Sequence, residues 1–91
     1  MTEISDHARK RIKLRADGDP EKMLADAIAN GHRAADFTGK FGRYLHGRQK
    51  EYRSTAIVHK GKIFFIKQDV LTTMYPIPHD FRKYKPKGAK A

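Results

Sequence analysis

Apolar positions recur with helical spacing in the first half of the chain and with strand-like spacing in the second. Ile4, Ala8 and Ile12 stand at i, i+4 and i+8, which predicts a helix over residues 5–15 with one apolar face. Ser5 is suited to cap it, and Asp6 sits favourably at the positive end of its dipole. Gly18 breaks the pattern. Asp19-Pro20 then opens a second helix, because Asp caps and proline belongs in a first turn, where its missing N–H costs nothing. Met23, Leu24, Ala27 and Ile28 form its buried stripe, and Asn30-Gly31 is its stop signal. Phe37, Phe41, Tyr44 and Leu45 keep helical spacing too. Gly39, Gly42 and Gly47 work against that helix, each by about 1 kcal/mol relative to alanine. A short helix over residues 39–46, with Thr38 as its cap, is the expectation.

From Tyr52 onward the composition turns to strand formers. Residues 53–60, 62–67 and 70–76 read as three strands, with Lys60-Gly61 and Gln68-Asp69 as tight hairpin turns. Ile63-Phe64-Phe65-Ile66 is apolar on both faces, which suits the central strand of an antiparallel meander. One face is expected to pack on the second helix, and the other needs cover from the first helix or the C-terminal segment. Pro76 and Pro78 end the sheet, since proline cannot donate to a ladder. The expected class is α+β: two or three N-terminal helices on a three-stranded antiparallel meander. Residues 1–80 form a single domain, followed by a basic tail over 81–91.

Charge adds a partner to this picture. The chain has 91 residues, with 20 Lys and Arg against 10 Asp and Glu, and a formal net charge of +10. The excess clusters at both ends and in the middle. Arg9, Lys10, Arg15, Arg43, Arg48, Lys50, Arg53, Arg82, Lys83 and Lys85 are the candidate nucleic-acid-binding cations. A small chain this basic repels itself, and its natural partner is a polyanion. Nucleic acid, RNA before DNA, is expected ahead of an anionic membrane or an acidic protein. The absence of cysteine removes disulfides and thiolate metal sites. No apolar run approaches the roughly 20 residues of a membrane span, and no apolar core of a leader peptide follows the N-terminus. A cytoplasmic protein without membrane contact is the expectation. The charged 53–60 strand, read as a sheet edge, favours a monomer.

The five histidines, His7, His32, His46, His59 and His79, show neither the i, i+4 pairing of a helical metal site nor clustering with acids. No metal or other cofactor is expected, and no phosphate loop or nucleophile elbow is present. What the chain does hold suits metal-free RNA cleavage. That reaction needs a base at the 2′-hydroxyl, an acid for the leaving oxygen and cations around phosphorus. Histidine titrates in the right range for the first two roles, and the arginine fork matches phosphate oxygens. His7, Arg11, His46, Arg48, Thr73 and Tyr75 are the residues that supply these groups.

Several motifs appear in order: Ser5-x-His7-Ala8-x-x-Arg11-x-x-x-Arg15, Gly31-His32, Thr38 with Arg43-Tyr44-Leu45, Lys60-Gly61-Lys62-Ile63-Phe64-Phe65, and Leu71-Thr72-Thr73-Met74-Tyr75-Pro76-Ile77-Pro78. Over roughly residues 4–80 this resembles a family of short phage and prophage proteins of unassigned function. These have an N-terminal HAxxRxxxR helix and a C-terminal strand ending in a TVxPxP-like pattern. That family is similar in turn to the barnase/EndoU/colicin/RelE group of metal-independent ribonucleases, which includes many toxins. The resemblance implies a RelE- or barnase-like fold and makes His7, Arg11 and Thr73 active-site candidates. Thr73 is taken over Thr72 because it shares a sheet face with Tyr75. At His46-Gly47 the chain departs from the family's acidic or apolar residue.

Every candidate also has an ordinary explanation. His7 and Arg11 fit a solvated helix face, Thr73 a good β former, Tyr75 sheet packing and His46 an exposed loop. Phe37, Phe41, Tyr44 and Leu45 are core residues before they are a base-stacking platform. Three functions therefore compete: a metal-independent endoribonuclease with catalytic His7, Arg11, His46, Thr73 and Tyr75, a non-catalytic nucleic-acid binder, and a phage protein that binds and inhibits a host enzyme or defence complex. A toxin would also require an acidic antitoxin as its partner.

Overall fold

The structure, a computed structural model, describes residues 3–15 and 19–81, with the backbone alone for Leu14 and Arg15. Strand β1 (Glu3–Ile4) leads directly into helix α1 (Asp6–Arg15). Ser5 caps α1 as expected, its hydroxyl accepting the Ala8 N–H at 3.1 Å. Ala8 and Ile12 are fully buried, on the apolar face that their spacing predicts. Helix α2 (Pro20–Asn30) also follows its signals: Asp19 accepts the Glu21 N–H, and the Gly31 N–H closes the last turn on the Ala27 carbonyl at 2.7 Å. Of the predicted stripe, Leu24 and Ala27 are buried and Met23 packs at its margin, but Ile28 is 41% exposed. It lies one position past the arc that two neighbouring elements can cover.

After α2, strand β2 (His32–Arg33) and a 3₁₀ turn (Ala34–Asp36) lead to helix α3 (Gly39–Tyr52). The helix runs six residues beyond the expected end. Burial of Phe41 and Leu45 outweighs the glycine penalty in its first half, and Gly42 is itself buried where the helix crosses the Phe37 carbonyl. The extension is held by the Arg48–Glu51 pair, by Gln49 accepting the Ala56 N–H and by Tyr52 packed edge-on against Phe65. Thr38 holds the N-cap position but makes no side-chain capping bond. Arg53 ends the helix in the left-handed region at φ 51°, its N–H bound to the Gln49 carbonyl.

Strands β3 (Thr55–His59), β4 (Lys62–Lys67) and β5 (Val70–Pro76) follow, joined by the two predicted hairpins. Both turns take left-handed backbone at their two central residues, Lys60-Gly61 and Gln68-Asp69, which matches the twist of the flanking strands. These strands are the middle of a larger sheet, not the whole of it. The sheet has five strands in the order β1-β5-β4-β3-β2. It is mixed, because β1 pairs parallel to β5 while all other pairs are antiparallel. The expected three-stranded sheet is thus corrected by two-residue strands added on either side. Strand β3 is consequently internal, and the monomer argument from a charged 53–60 edge falls away.

The layers also differ from expectation. Helices α1 and α2 share one face, where Ala8, Ile12, Leu24 and Ala27 meet Ile57, Phe64, Leu71 and Met74. Helix α3 covers the other face, where Phe37, Phe41 and Leu45 meet Ala56, Val58, Ile63 and Phe65. Phe81, in a final 3₁₀ turn (His79–Phe81), stacks on Phe41 at 5.4 Å, so the packed structure extends one residue beyond the predicted domain end. The result is an αα/β/α sandwich.

A bulge in β5 sets the site. Phe65 pairs with Thr73 but Ile66 pairs with Leu71, so Thr72 is an inserted residue. Its hydroxyl bonds the Phe65 carbonyl at 3.1 Å. The insertion lets Leu71 and Met74 enter the same core while Thr73 and Tyr75 turn to the α3 side.

Candidate nucleic-acid interface

His7 and Arg11 are one helical turn apart on α1, exposed and half-exposed beside the buried Ala8 and Ile12. Arg11 Nε donates to His7 Nε2 at 2.7 Å. His7 therefore acts as an acceptor at Nε2, which places its proton on Nδ1. The Arg11 guanidinium carbon lies 5.0 Å from the centre of the Tyr75 ring, a cation–π contact. Tyr75 belongs to the opposite sheet face, and Arg11 reaches it past the margin of β5. Strand β1 covers that margin only at Val70 and Leu71.

From Tyr75 a chain of ring contacts crosses the α3 side of the sheet. Tyr75 meets Phe65 edge-on at 6.1 Å, and Phe65 meets Tyr52 edge-on at 5.1 Å. Tyr52, Arg48 and Tyr44 are spaced at i, i+4 and i+8 along α3. The Arg48 guanidinium lies 5.3 Å from the Tyr44 ring and 6.0 Å from that of Tyr52. A hydrogen bond with Tyr44 and the charge of Glu51 raise the Arg48 guanidinium above its ordinary pKa. Glu51 accepts from Arg48 at 2.7 Å. The band thus has an arginine plane near each end, with half-buried tyrosines between them. Thr73 lies inside it, opposite Phe65, and its Oγ1 is buried with no hydrogen-bond partner.

The predicted site residues divide accordingly. His7, Arg11, Thr73, Tyr75 and Arg48 fall in one band. His46 does not: helical spacing puts it on the outward face of α3 with Arg43 and Lys50, all three exposed. The base and acid that metal-free cleavage asks of two histidines are therefore not side by side, and the His7 lone pair already holds Arg11. Arg9 is committed elsewhere, tying α1 to α2 through Glu21 at 2.6 Å, and the hydrogen bond to that carboxylate raises its pKa. Lys10, Arg43, Lys50 and Arg53 make no ion pair among the described residues. The side chain of Arg15, and all of Arg82, Lys83 and Lys85, lie outside the described residues.

Tyr44 and Tyr52 are the members that sequence reasoning missed. Tyr44 was assigned to the core and Tyr52 to the start of the sheet. The i, i+4, i+8 spacing around Arg48 is the signal that identifies them. Near Tyr52, at the end of α3, a cleft of about 520 Å³ is lined by Gln49, Arg53, Ser54, Thr55, Lys67 and Gln68. It brings two further cations, Arg53 and Lys67, to the same end of the molecule. Among the described residues no group of three or more His, Asp or Glu is placed to hold a metal ion, and no helix is long and apolar enough to cross a membrane.

Comparison with protein-family models, with curated proteins and with solved structures finds no match to this chain.

Proposed function

We propose that this protein binds nucleic acid, RNA in preference to DNA, along the band from Arg11 and Tyr75 to Arg48 and Tyr44. The observation that carries this reading is the pair of arginines held over tyrosine rings on one face of a strongly basic chain. Arginine binds phosphate through its fork and bases through its plane, and the tyrosines fix that plane. Lys10, Arg53 and Lys67 stand by as phosphate contacts. The motif resemblance to short phage and prophage proteins, which are similar in turn to metal-independent ribonucleases, favours RNA as the ligand.

Cleavage is the second reading. It is favoured by the meeting of His7, Arg11 and Tyr75, which together offer a base, a cation and a hydroxyl. It is opposed by the position of His46. One experiment separates the two: labelled RNA incubated with the protein in EDTA, beside His7→Ala. Intact RNA with retarded mobility supports binding. Fragments with 2′,3′-cyclic phosphate ends that vanish in His7→Ala support the ribonuclease. RNA that is neither shifted nor cut refutes both, and leaves the basic face to an acidic protein partner such as an antitoxin or a host enzyme.

A further inference from the structure

Building on the nucleic-acid reading, we infer that the ligand is single-stranded, and that Arg11 on Tyr75 and Arg48 on Tyr44 and Tyr52 are stacking platforms for unpaired bases. Phosphate contacts alone do not mark a single strand, since single strands and duplexes both offer a charged backbone. Flat side chains do. A guanidinium backed by an aromatic ring presents a fixed plane to a base face, and a base face is accessible only where the base is unstacked from its neighbours.

Two features of the band fit this use. Each arginine is already ordered: Arg11 by its bond to His7 and its seat on Tyr75, Arg48 by Glu51 and two tyrosines. Little side-chain freedom is left to lose on binding. Both arginines and all three tyrosines are partly exposed, whereas Phe65, which links the two ends, is buried and serves as their support. A duplex can use neither platform, because its bases are stacked on one another and their faces are closed.

The test compares a fluorescent 12-nucleotide RNA strand with a 12-base-pair RNA duplex by anisotropy at one salt concentration. It uses the full chain and the double variant Arg11→Lys/Arg48→Lys. Lysine keeps both charges and discards both planes. The expected result is tenfold or greater preference of the native protein for the single strand. In the double variant single-strand affinity drops about tenfold or more, and the preference for the single strand over the duplex falls with it. Equal or tighter binding to the duplex overturns the inference while leaving nucleic-acid binding intact. So does a double variant that binds the single strand as well as the native protein. Failure of the native protein to bind either RNA removes the underlying functional reading and this inference with it.

Discussion

Two glycines in α3 should respond oppositely to the same substitution. A Cβ built on Gly42 meets the Phe37 carbonyl oxygen at 2.5 Å and its carbon at 3.1 Å, whereas ordinary contact begins at 3.4 Å. The obstacle is backbone and yields only if the helix or the preceding turn moves. Overpacking of this kind costs about 1–3 kcal/mol, and the rigid partner puts Gly42→Ala in the upper part of that range. Alanine returns about 1 kcal/mol of helix propensity. The net change is then a loss of about 1–2 kcal/mol. At Gly47 a Cβ meets nothing within 4 Å, so Gly47→Ala keeps the propensity gain alone, about 0.5–1 kcal/mol. Because both positions lie inside one helix, the propensity contribution is common and the difference, about 2–3 kcal/mol, isolates the contact with Phe37. Urea unfolding followed by far-UV circular dichroism reads it directly. By thermal melting, each 1 kcal/mol is about 4–8 °C in a domain of this size. Helix α3 also carries Tyr44, Arg48 and Tyr52, so Gly42→Ala should weaken RNA binding as well, while Gly47→Ala leaves it intact. Equal stabilisation of both variants would refute the close approach of α3 to the Phe37 turn.

Gly31→Ala should cost more than Gly42→Ala, because its Cβ would meet Ala27 O at 2.4 Å and Ile57 Cγ2 at 2.5 Å, clashing with helix and sheet at once; a melting temperature at or above the native value contradicts this. Asp26 accepts from His59 at 2.8 Å, from Asn30 at 2.8 Å and from Lys60 at 3.1 Å, and these contacts, His59 first, lower its pKa from 3.8 to about 2. A depressed carboxylate stabilises the fold above its unfolded pKa and loses that contribution as pH falls through the folded one, so the Asp26 share disappears between about pH 4 and pH 2. Melting curves across that window should fall less steeply for Asp26→Asn than for the native chain. Thr73→Val removes a buried hydroxyl that has no partner and should stabilise the protein by about 1 kcal/mol; a loss of stability would show that the hydroxyl is satisfied.

The elements with strong local chemistry were legible in the sequence. Asp19-Pro20 and Asn30-Gly31 bracket α2, Ser5 caps α1, and Lys60-Gly61 and Gln68-Asp69 mark the two hairpins. What was not legible depends on tertiary contact. Strands β1 and β2 have two residues each, too short to show a period, and exist only because β5 and β3 offer them a ladder. The extent of α3 was obscured by its glycines: Gly42 is there for close packing, seen only once Phe37 is in place, and Gly47 lies in open space where the helix runs on regardless. Which face each helix covers is a long-range choice that amphipathic patterns leave open. At the site, the His7–Arg11 pair follows from helical spacing alone. Its meeting with Tyr75 depends on the bulge at Thr72 and on how little of β5 is covered by β1. His46 falls outside the band because α3 continues through it to Tyr52 and holds it on the outward face.

The most direct test of the tyrosine–arginine band is a salt titration of RNA binding by the native protein and by Arg11→Ala/Arg48→Ala. With about four phosphate contacts, single-strand affinity should fall roughly fiftyfold between about 50 and 200 mM salt. The double variant should bind at least tenfold more weakly at every salt concentration while remaining folded by far-UV circular dichroism. Native binding that is absent, or that is undiminished in the folded double variant, would contradict the assignment of this surface to nucleic acid.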